Sequence, residues 1–359
     1  MRRYIAVLLI GVVLIFSSAW QGLYSVQAQP SRHPHAESTL PLTGQIAFTS
    51  NRTGNYQIYI MNADGTNLVR VTQDPDTDNF GPYLSPDGSK ILFSSGDLAS
   101  GDYGFKVIDA NGLHPAVISK PNEVAAAHPQ WSPDSSRIIY GVLKNSSVDF
   151  YLVNADGTNR ISLNYPRPTG VPQVKWVSSS QIILTTIQGV MLANPDATGL
   201  KLLAPYIVGS FALNTQLALE SGYIITLDGP MTTVDVADAS GADAKRQFAI
   251  PAHSILYYLD WSPNGRAIGV NVRNPSQDQL NGYYVYTADG ILFHATFDVW
   301  SVWSPDSNYL SYTGADKNGS SQVFVVGAYP GATPQQITFG DYSNAQPSWS
   351  VGSVSEAVF

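Results

Sequence analysis

The apolar runs of this chain are short and β-rich, and most follow a polar corner of one type. Trp131-Ser132-Pro133-Asp134-Ser135 leads into Arg137-Ile138-Ile139-Tyr140. Leu84-Ser85-Pro86-Asp87-Gly88 leads into Lys90-Ile91-Leu92-Phe93, and Trp261-Ser262-Pro263-Asn264-Gly265 into Ala267-Ile268-Gly269-Val270. Trp303-Ser304-Pro305-Asp306-Ser307 leads into Tyr309-Leu310-Ser311-Tyr312, and weaker copies stand at Trp176-Val177-Ser178-Ser179-Ser180 and Trp349-Ser350-Val351-Gly352. Runs of this length, rich in Ile, Val, Tyr and Phe and bounded by turn formers, predict strands. In the corner, Pro fixes φ at the second turn position, Asp suits the third, and Gly accepts the strained fourth. The Trp supplies a large apolar plate for packing between neighbouring sheets. Its repeated Asp is therefore read as a turn former rather than a catalytic acid.

The corners begin at positions 84, 131, 176, 261, 303 and 349, at intervals of 47, 45, 85, 42 and 46 residues. The interval of 85 holds two periods, with Asn214 to Gly222 as the remnant of a decayed copy. A second motif keeps the same beat. Asn62-Ala63-Asp64-Gly65-Thr66-Asn67 recurs letter for letter at Asn154 to Asn159, with variants at Asp109-Ala110-Asn111-Gly112, Asp238-Ala239-Ser240-Gly241 and Thr287-Ala288-Asp289-Gly290. Asp-Gly between β-rich runs predicts a tight hairpin. One unit thus reads as four strands, a to d, with the corner between a and b and the hairpin between c and d. About 44 residues in short strands is the length of one propeller blade. The first unit begins at its b strand, Gln45-Ile46-Ala47-Phe48, and the missing a strand stands at the far end as Ala345 to Ser350. Pairing the two closes the ring and removes both free sheet edges. The expectation is an all-β propeller of seven four-stranded blades closed by the C-terminal strand, with six or eight blades as alternatives. Ser355 to Phe359 reads as a surplus strand.

The Trp-Ser-Pro-Asp-Gly corner followed by an Ile-x-Phe strand, and the Asn-Ala-Asp-Gly hairpin ending near Thr, resemble the repeats of TolB-like (PD40) propellers over about residues 45 to 350. The Gly-His and Trp-Asp signatures of the WD40 repeat are missing. The resemblance implies a binding scaffold, with enzymes such as oligogalacturonate lyases a minority of its members.

Composition agrees with strands and turns: 13% charged residues, 30 Gly, 23 Pro and 20 Tyr among 359 residues. A net charge of −8 argues against a nucleic-acid partner, and the lack of Cys excludes disulfides and thiolate chemistry. Arg2 and Arg3 before the apolar run Ile5 to Phe16, with Val26-Gln27-Ala28 after it, have the layout of a signal peptide over residues 1–28. An uncleaved anchor is the alternative, and the only membrane contact expected. Residues 29–44 read as a disordered leader, and 45–359 as the propeller. An exported, periplasmic or extracellular envelope location follows.

The sequence contains no Gly-x-Ser-x-Gly elbow, His-Glu-x-x-His pair or phosphate loop. His128 and His253 precede corners and so are placed at the central channel. Metal binding by propeller lyases through channel histidines makes these two the candidates that the resemblance implies. Asp74-Pro75-Asp76-Thr77-Asp78-Asn79 spaces carboxylates as Ca²⁺ loops do, but lacks the Gly and Glu of such a loop. The expectation is no cofactor, with Ca²⁺ or Mn²⁺ as alternatives. In a four-strand meander the corners and hairpins share one face of the disc, and the irregular b–c and d–a connections share the other. Loops on rigid scaffolds carry function. The binding candidates on the irregular face are Asn51, Arg52, Asn55, Asp76, Asn79, Asp97, Asp102, Tyr103, Tyr165, Arg167, Tyr257, Asp341 and Tyr342. Such residues suit a protein, peptide or glycan partner at the cell envelope. The expectation is a monomeric, non-catalytic scaffold; a polysaccharide lyase or glycoside-active enzyme with a channel metal is the alternative.

Overall fold

The computed structural model describes residues 41–97, 99–120, 123–144, 147–165, 174–186, 188–205, 223–228, 233–238, 245–249, 254–297 and 300–351. The segment expected to be a signal peptide, most of the leader, the Asn214 to Gly222 corner, and Ser355 to Phe359 lie outside these residues.

The strands assemble into antiparallel meanders, given innermost strand first except in sheet 5, whose first described strand follows the expected corner. Sheet 1 is Asn344–Ser350, Gln45–Thr53, Asn55–Asn62 and Val69–Arg70; sheet 2 is Asp78–Leu84, Lys90–Asp97, Asp102–Asp109 and Ala116–Val117. Sheet 3 is Val124–Trp131, Arg137–Lys144, Ser147–Asn154 and Ile161–Ser162; sheet 4 is Val174–Ser178, Gln181–Thr186, Gly189–Ala193 and Lys201–Pro205. Sheet 5 has three strands, Tyr223–Asp228, Thr233–Asp238 and Lys245–Ala249. Sheet 6 is Ile255–Trp261, Ala267–Arg273, Gly282–Thr287 and Leu292–Thr296, and sheet 7 is Val302–Trp303, Tyr309–Ala315, Ser321–Gly327 and Gln335–Gln336. The β-propeller stands, but with six four-stranded blades rather than the expected seven, six being the alternative; sheet 5 has three strands among the described residues. No helix among them is long and apolar enough to cross a membrane.

The C-terminal strand closes the ring as expected. Gln45 pairs with Ser350, Ile46 with Trp349 and Ala47 with Ser348, so the two chain ends share one sheet. The apolar faces meet between sheets rather than around one centre. Leu92, Phe105, Val107 and Ile118 of sheet 2 pack against Trp131, Ile138, Tyr140 and Val142 of sheet 3. Ile46, Phe48, Met61 and Trp349 of sheet 1 pack against Tyr309, Val323 and Val325 of sheet 7. Trp131, Trp303 and Trp349 are all buried, as the plate reading requires. The indole also sets register, since Trp131 Nε1 donates to Tyr83 O of the preceding sheet at 2.9 Å and Trp349 Nε1 to Thr43 O at 2.9 Å.

The corner is a closed hydrogen-bond ring. Asp134 Oδ1 accepts from Ser132 Oγ at 2.6 Å, Ser136 N at 3.1 Å and Ser136 Oγ at 2.7 Å, while Arg137 N donates to Ser132 Oγ at 2.9 Å. Asp87, Asn264 and Asp306 repeat the arrangement. The hairpin differs in detail from a two-residue turn. Gly65 N donates to Asn62 O at 2.9 Å and Asn62 N to Thr66 O at 2.9 Å, with the positive φ falling on Gly65 and Asn67 rather than on Asp64. This is a type I turn followed by a glycine bulge. Glycine is needed there for a second reason. A Cβ on Gly157 would stand 2.6 Å from Val117 O of the preceding sheet.

Candidate functional site

Corners and hairpins do share a face, because they bond to each other. Ala110 N donates to Ser89 O at 2.9 Å, Ala155 N to Ser136 O at 2.9 Å and Ala328 N to Asn308 O at 2.8 Å. Adjacent corners are linked as well, through Asp87 N to Ser135 Oγ at 3.2 Å, Asn264 N to Ser307 Oγ at 3.0 Å, and Ser350 Oγ to Ser85 O at 2.7 Å. That face uses many of its polar groups on itself.

Several of the sequence candidates come together where sheets 7 and 1 meet. Gln322 is fully buried and acts as the keystone. Its Nε2 donates to Gly340 O at 2.8 Å and Tyr342 O at 3.2 Å, and its Oε1 accepts from Thr338 Oγ1 at 2.8 Å and Asn344 Nδ2 at 2.7 Å. Asn344 Oδ1 in turn accepts from Arg52 Nη2 at 2.8 Å, and Arg52 Nε donates to Ser50 Oγ at 3.1 Å. The Arg52 guanidinium carbon lies 4.5 Å from the Tyr59 ring centre and 4.7 Å from that of Tyr342. Tyr342 is steered there by Gly340 (φ +122), whose Cα hydrogen side meets the phenol ring: a Cβ would stand 2.4 Å from Tyr342 Cζ. Asn51 ties the same turn, accepting from Ser343 N at 2.8 Å. Asp341 is exposed beside it.

The same keystone recurs between sheets 1 and 2. Gln57 Nε2 donates to Asp74 O at 2.7 Å and Thr77 O at 3.0 Å, and its Oε1 accepts from Thr72 Oγ1 at 2.7 Å and Asn79 Nδ2 at 3.1 Å. Reasoning from sequence missed both keystones. Their signal is the spacing, with Thr 15 or 16 residues and Asn 22 residues after the Gln.

Other candidates fare differently. Asn79 and Tyr165 are buried, so neither presents a surface for a partner. Tyr257 belongs to the innermost strand Ile255–Trp261 rather than to a loop. Asn55 is exposed and donates to Pro75 O at 2.9 Å. Asp102 is exposed, while Tyr103 packs edge-on against Phe80 with ring centres 5.1 Å apart. Asp97 accepts from Ala99 N at 2.8 Å. In the stretch read against a Ca²⁺ loop, Asp74 accepts from Asp76 N at 3.0 Å and Asp78 from Tyr56 N at 3.0 Å, so both carboxylates serve the backbone. Asp76 is exposed. No group of three or more His, Asp or Glu among the described residues is arranged to hold a metal. His128 lies in the innermost strand Val124–Trp131, three residues before the corner Trp, as Gly81 and Gln346 lie before Leu84 and Trp349. Arg167 and His253 lie outside the described residues.

Residues 35–178 match the model of the TolB beta propeller domain, PD40. Over those residues the chain is similar to a TolB-type propeller. A stretch of 51 residues is 43% identical to the Tol-Pal system protein TolB of Geobacter sulfurreducens, covering 14% of this chain and 12% of that protein. The match thus spans about an eighth of the curated relative's length. Among solved structures, TolB from Acinetobacter baumannii superposes with a TM-score of 0.55 at 15% identity, over 87% of this chain and 67% of that one. An oligogalacturonate lyase in complex with manganese superposes with a TM-score of 0.60 at 13% identity, over 81% of this chain and 86% of that one. At these identities the likeness is one of fold. The shared propeller fold accounts for the repeats and leaves the ligand to the site.

Proposed function

We propose that this protein is an exported, non-catalytic scaffold that binds a protein or peptide partner at the cell envelope through its irregular face. The observation that carries the reading is the asymmetry of exposed aromatic rings. Phe297 is 78% exposed, Phe339 65% and Trp300 42%, and all three stand in d–a connections on the irregular face. Large exposed apolar side chains rimmed by polar residues mark interaction surfaces. The corner face exposes aliphatic side chains, Leu68, Leu113 and Ile291 among them, but no Phe or Trp among the described residues, and its corners and hairpins bond to each other. The curated relative named as a Tol-Pal system protein supports an envelope partner, and the Arg2-Arg3 segment with its apolar run supports export.

The test is capture from envelope extracts by the whole chain and by two variants. Phe339→Ala is expected to lose the partner that wild type retains, and Leu68→Ala, on the corner side, to keep it. Capture unchanged in Phe339→Ala and in Phe297→Ala refutes the face assignment. Turnover of an acidic polysaccharide on addition of Mn²⁺ or Ca²⁺ refutes the non-catalytic reading in favour of a lyase.

A further inference from the structure

Among the described residues, two guanidinium groups rest on tyrosine rings, and they differ in their ion pairing. Arg160 lies 3.5 Å from the Tyr151 ring centre and also holds a carboxylate, with Nη2 2.7 Å from Glu123 Oε1. Arg52 has the same kind of aromatic cradle but takes part in no ion pair among the described residues, whose pairs are Lys90–Asp109, His114–Asp109, Lys144–Asp149 and Arg160–Glu123. A guanidinium carries five N–H donors. Arg52 uses one on Ser50 Oγ and one on Asn344 Oδ1, which leaves both on Nη1 and one on Nη2. The side chain is only half-buried, so these donors reach solvent. Its orientation is fixed from below by buried Asn344 and Gln322. The rotamer freedom normally lost when arginine grips a ligand is therefore already spent in the fold.

We infer that Arg52 is the anchor for a single carboxylate of a protein partner, presented beside an apolar side chain that covers Phe339. This rests on the irregular face being the binding face. The paired N–H geometry suits a carboxylate rather than a neutral carbonyl. Phe339 precedes Tyr342 by three residues in the turn that cradles Arg52, and is 65% exposed. Charge decides between a protein segment and an acidic glycan chain. The chain carries a net charge of −8, and Asp74, Asp76, Asp78, Asp97 and Asp102 gather at the neighbouring sheet 1–2 junction and the next b–c turn. Asp97 holds the position in sheet 2 that Arg52 holds in sheet 1, each six residues beyond the isoleucine that pairs with the last apolar residue of the innermost strand. Lys106 acts on Asp74 across that junction and Arg70 stands beside it, but the five carboxylates outnumber these cations, so the face accepts one negative group and repels a polyanion.

The test uses phenylacetate as probe, with phenylacetamide as its neutral counterpart and oligogalacturonate as the polyanion, read from the arginine Nε–H NMR signals of the whole chain. Phenylacetate is expected to shift the Arg52 signal saturably, and phenylacetamide and oligogalacturonate to leave it in place. Arg52→Gln is expected to raise the phenylacetate Kd at least about tenfold. Arg52→Lys, which keeps the charge and the ring contact but lacks the fork, falls between. Unchanged melting of Arg52→Lys separates a lost site from a lost fold. Equal response to the amide, unaltered binding by Arg52→Gln, or tighter binding of oligogalacturonate overturns the inference. If phenylacetate leaves Arg52 untouched while Phe339→Ala still abolishes partner capture, the carboxylate anchor falls and the binding face stands. If Phe339→Ala also captures normally, both fall.

Discussion

Replacing Gln322 with Ala isolates the polar keystone from the apolar closure. The change removes four hydrogen bonds at a position with no exposure, orphaning Gly340 O, Tyr342 O and the Asn344 amide. Each such bond contributes about 1 kcal/mol net, and water entering the space recovers part of the loss, so about 3–4 kcal/mol of destabilisation is expected. With an unfolding entropy of about 2.1 cal/mol/K per residue, a ring of roughly 310 residues loses about 5 °C of Tm. Calorimetry and urea melts of Gln322→Ala measure this directly. Gln57→Ala is the internal control, because it removes the same four bonds at the next junction. Both variants should fall by similar amounts, but only Gln322→Ala should release Tyr342 from Arg52, visible as a changed Arg52 Nε–H signal. Melting of Gln322→Ala within about 1 °C of wild type refutes the keystone reading.

Asp134→Ala should cost about 1–2 kcal/mol by opening the corner ring, whereas Asp134→Asn should cost less, since Asn264 fills the same role in sheet 6; paired urea melts distinguish them. Hydrogen bonds from Ser132, ahead of those from Ser136, hold the Asp134 carboxyl well below the usual aspartate range. A depressed folded value means stability that is present above the ordinary aspartate range and is lost as pH falls through the depressed one. Asp134→Asn should therefore flatten part of the acid limb of a stability profile. Gly157→Ala should cost about 2–3 kcal/mol, combining a positive φ with a 2.6 Å approach to Val117 O, while Gly54→Ala, with open space around it, should cost only about 1 kcal/mol. Trp349→Ala should lose about 3–5 kcal/mol in a melt, because the indole fills the seam between sheets 7 and 1 and holds Thr43 O.

What could be read in advance was whatever repeats. The corner, the hairpin, the buried Trp plates and the C-terminal closure each recur with one period, and each has a local chemical reason that survives without neighbours. The keystones escape because, among the described residues, they occupy two junctions. At the next one the corresponding residues are Gly104 and Ser119, where Ser119 Oγ still takes Phe105 N at 2.9 Å but no amide side chain is present. Sequence marks Arg52 as a loop cation, yet its cradle depends on Tyr342, which sequence separation hides entirely. Sequence alone puts Asn79 and Tyr165 at the surface, because polar residues in an aperiodic stretch look like loop. The strands in fact run past the apolar runs, carrying Asn51, Arg52, Asn79 and Asp102 inside them. The three-stranded sheet 5 follows the stretch in which the corner had already decayed beyond recognition.

The register of the closing pair also governs how the ring answers to load. Gln45 stands opposite Ser350 at the same end of sheet 1. Tension applied between a tether before Gln45 and anything attached after Ser350 pulls that end apart first and peels the ladder one rung at a time. A shear geometry would load all the rungs together. The propeller should therefore open at low force through a single detached strand, with the remaining sheets still stacked, and reseal when slack returns.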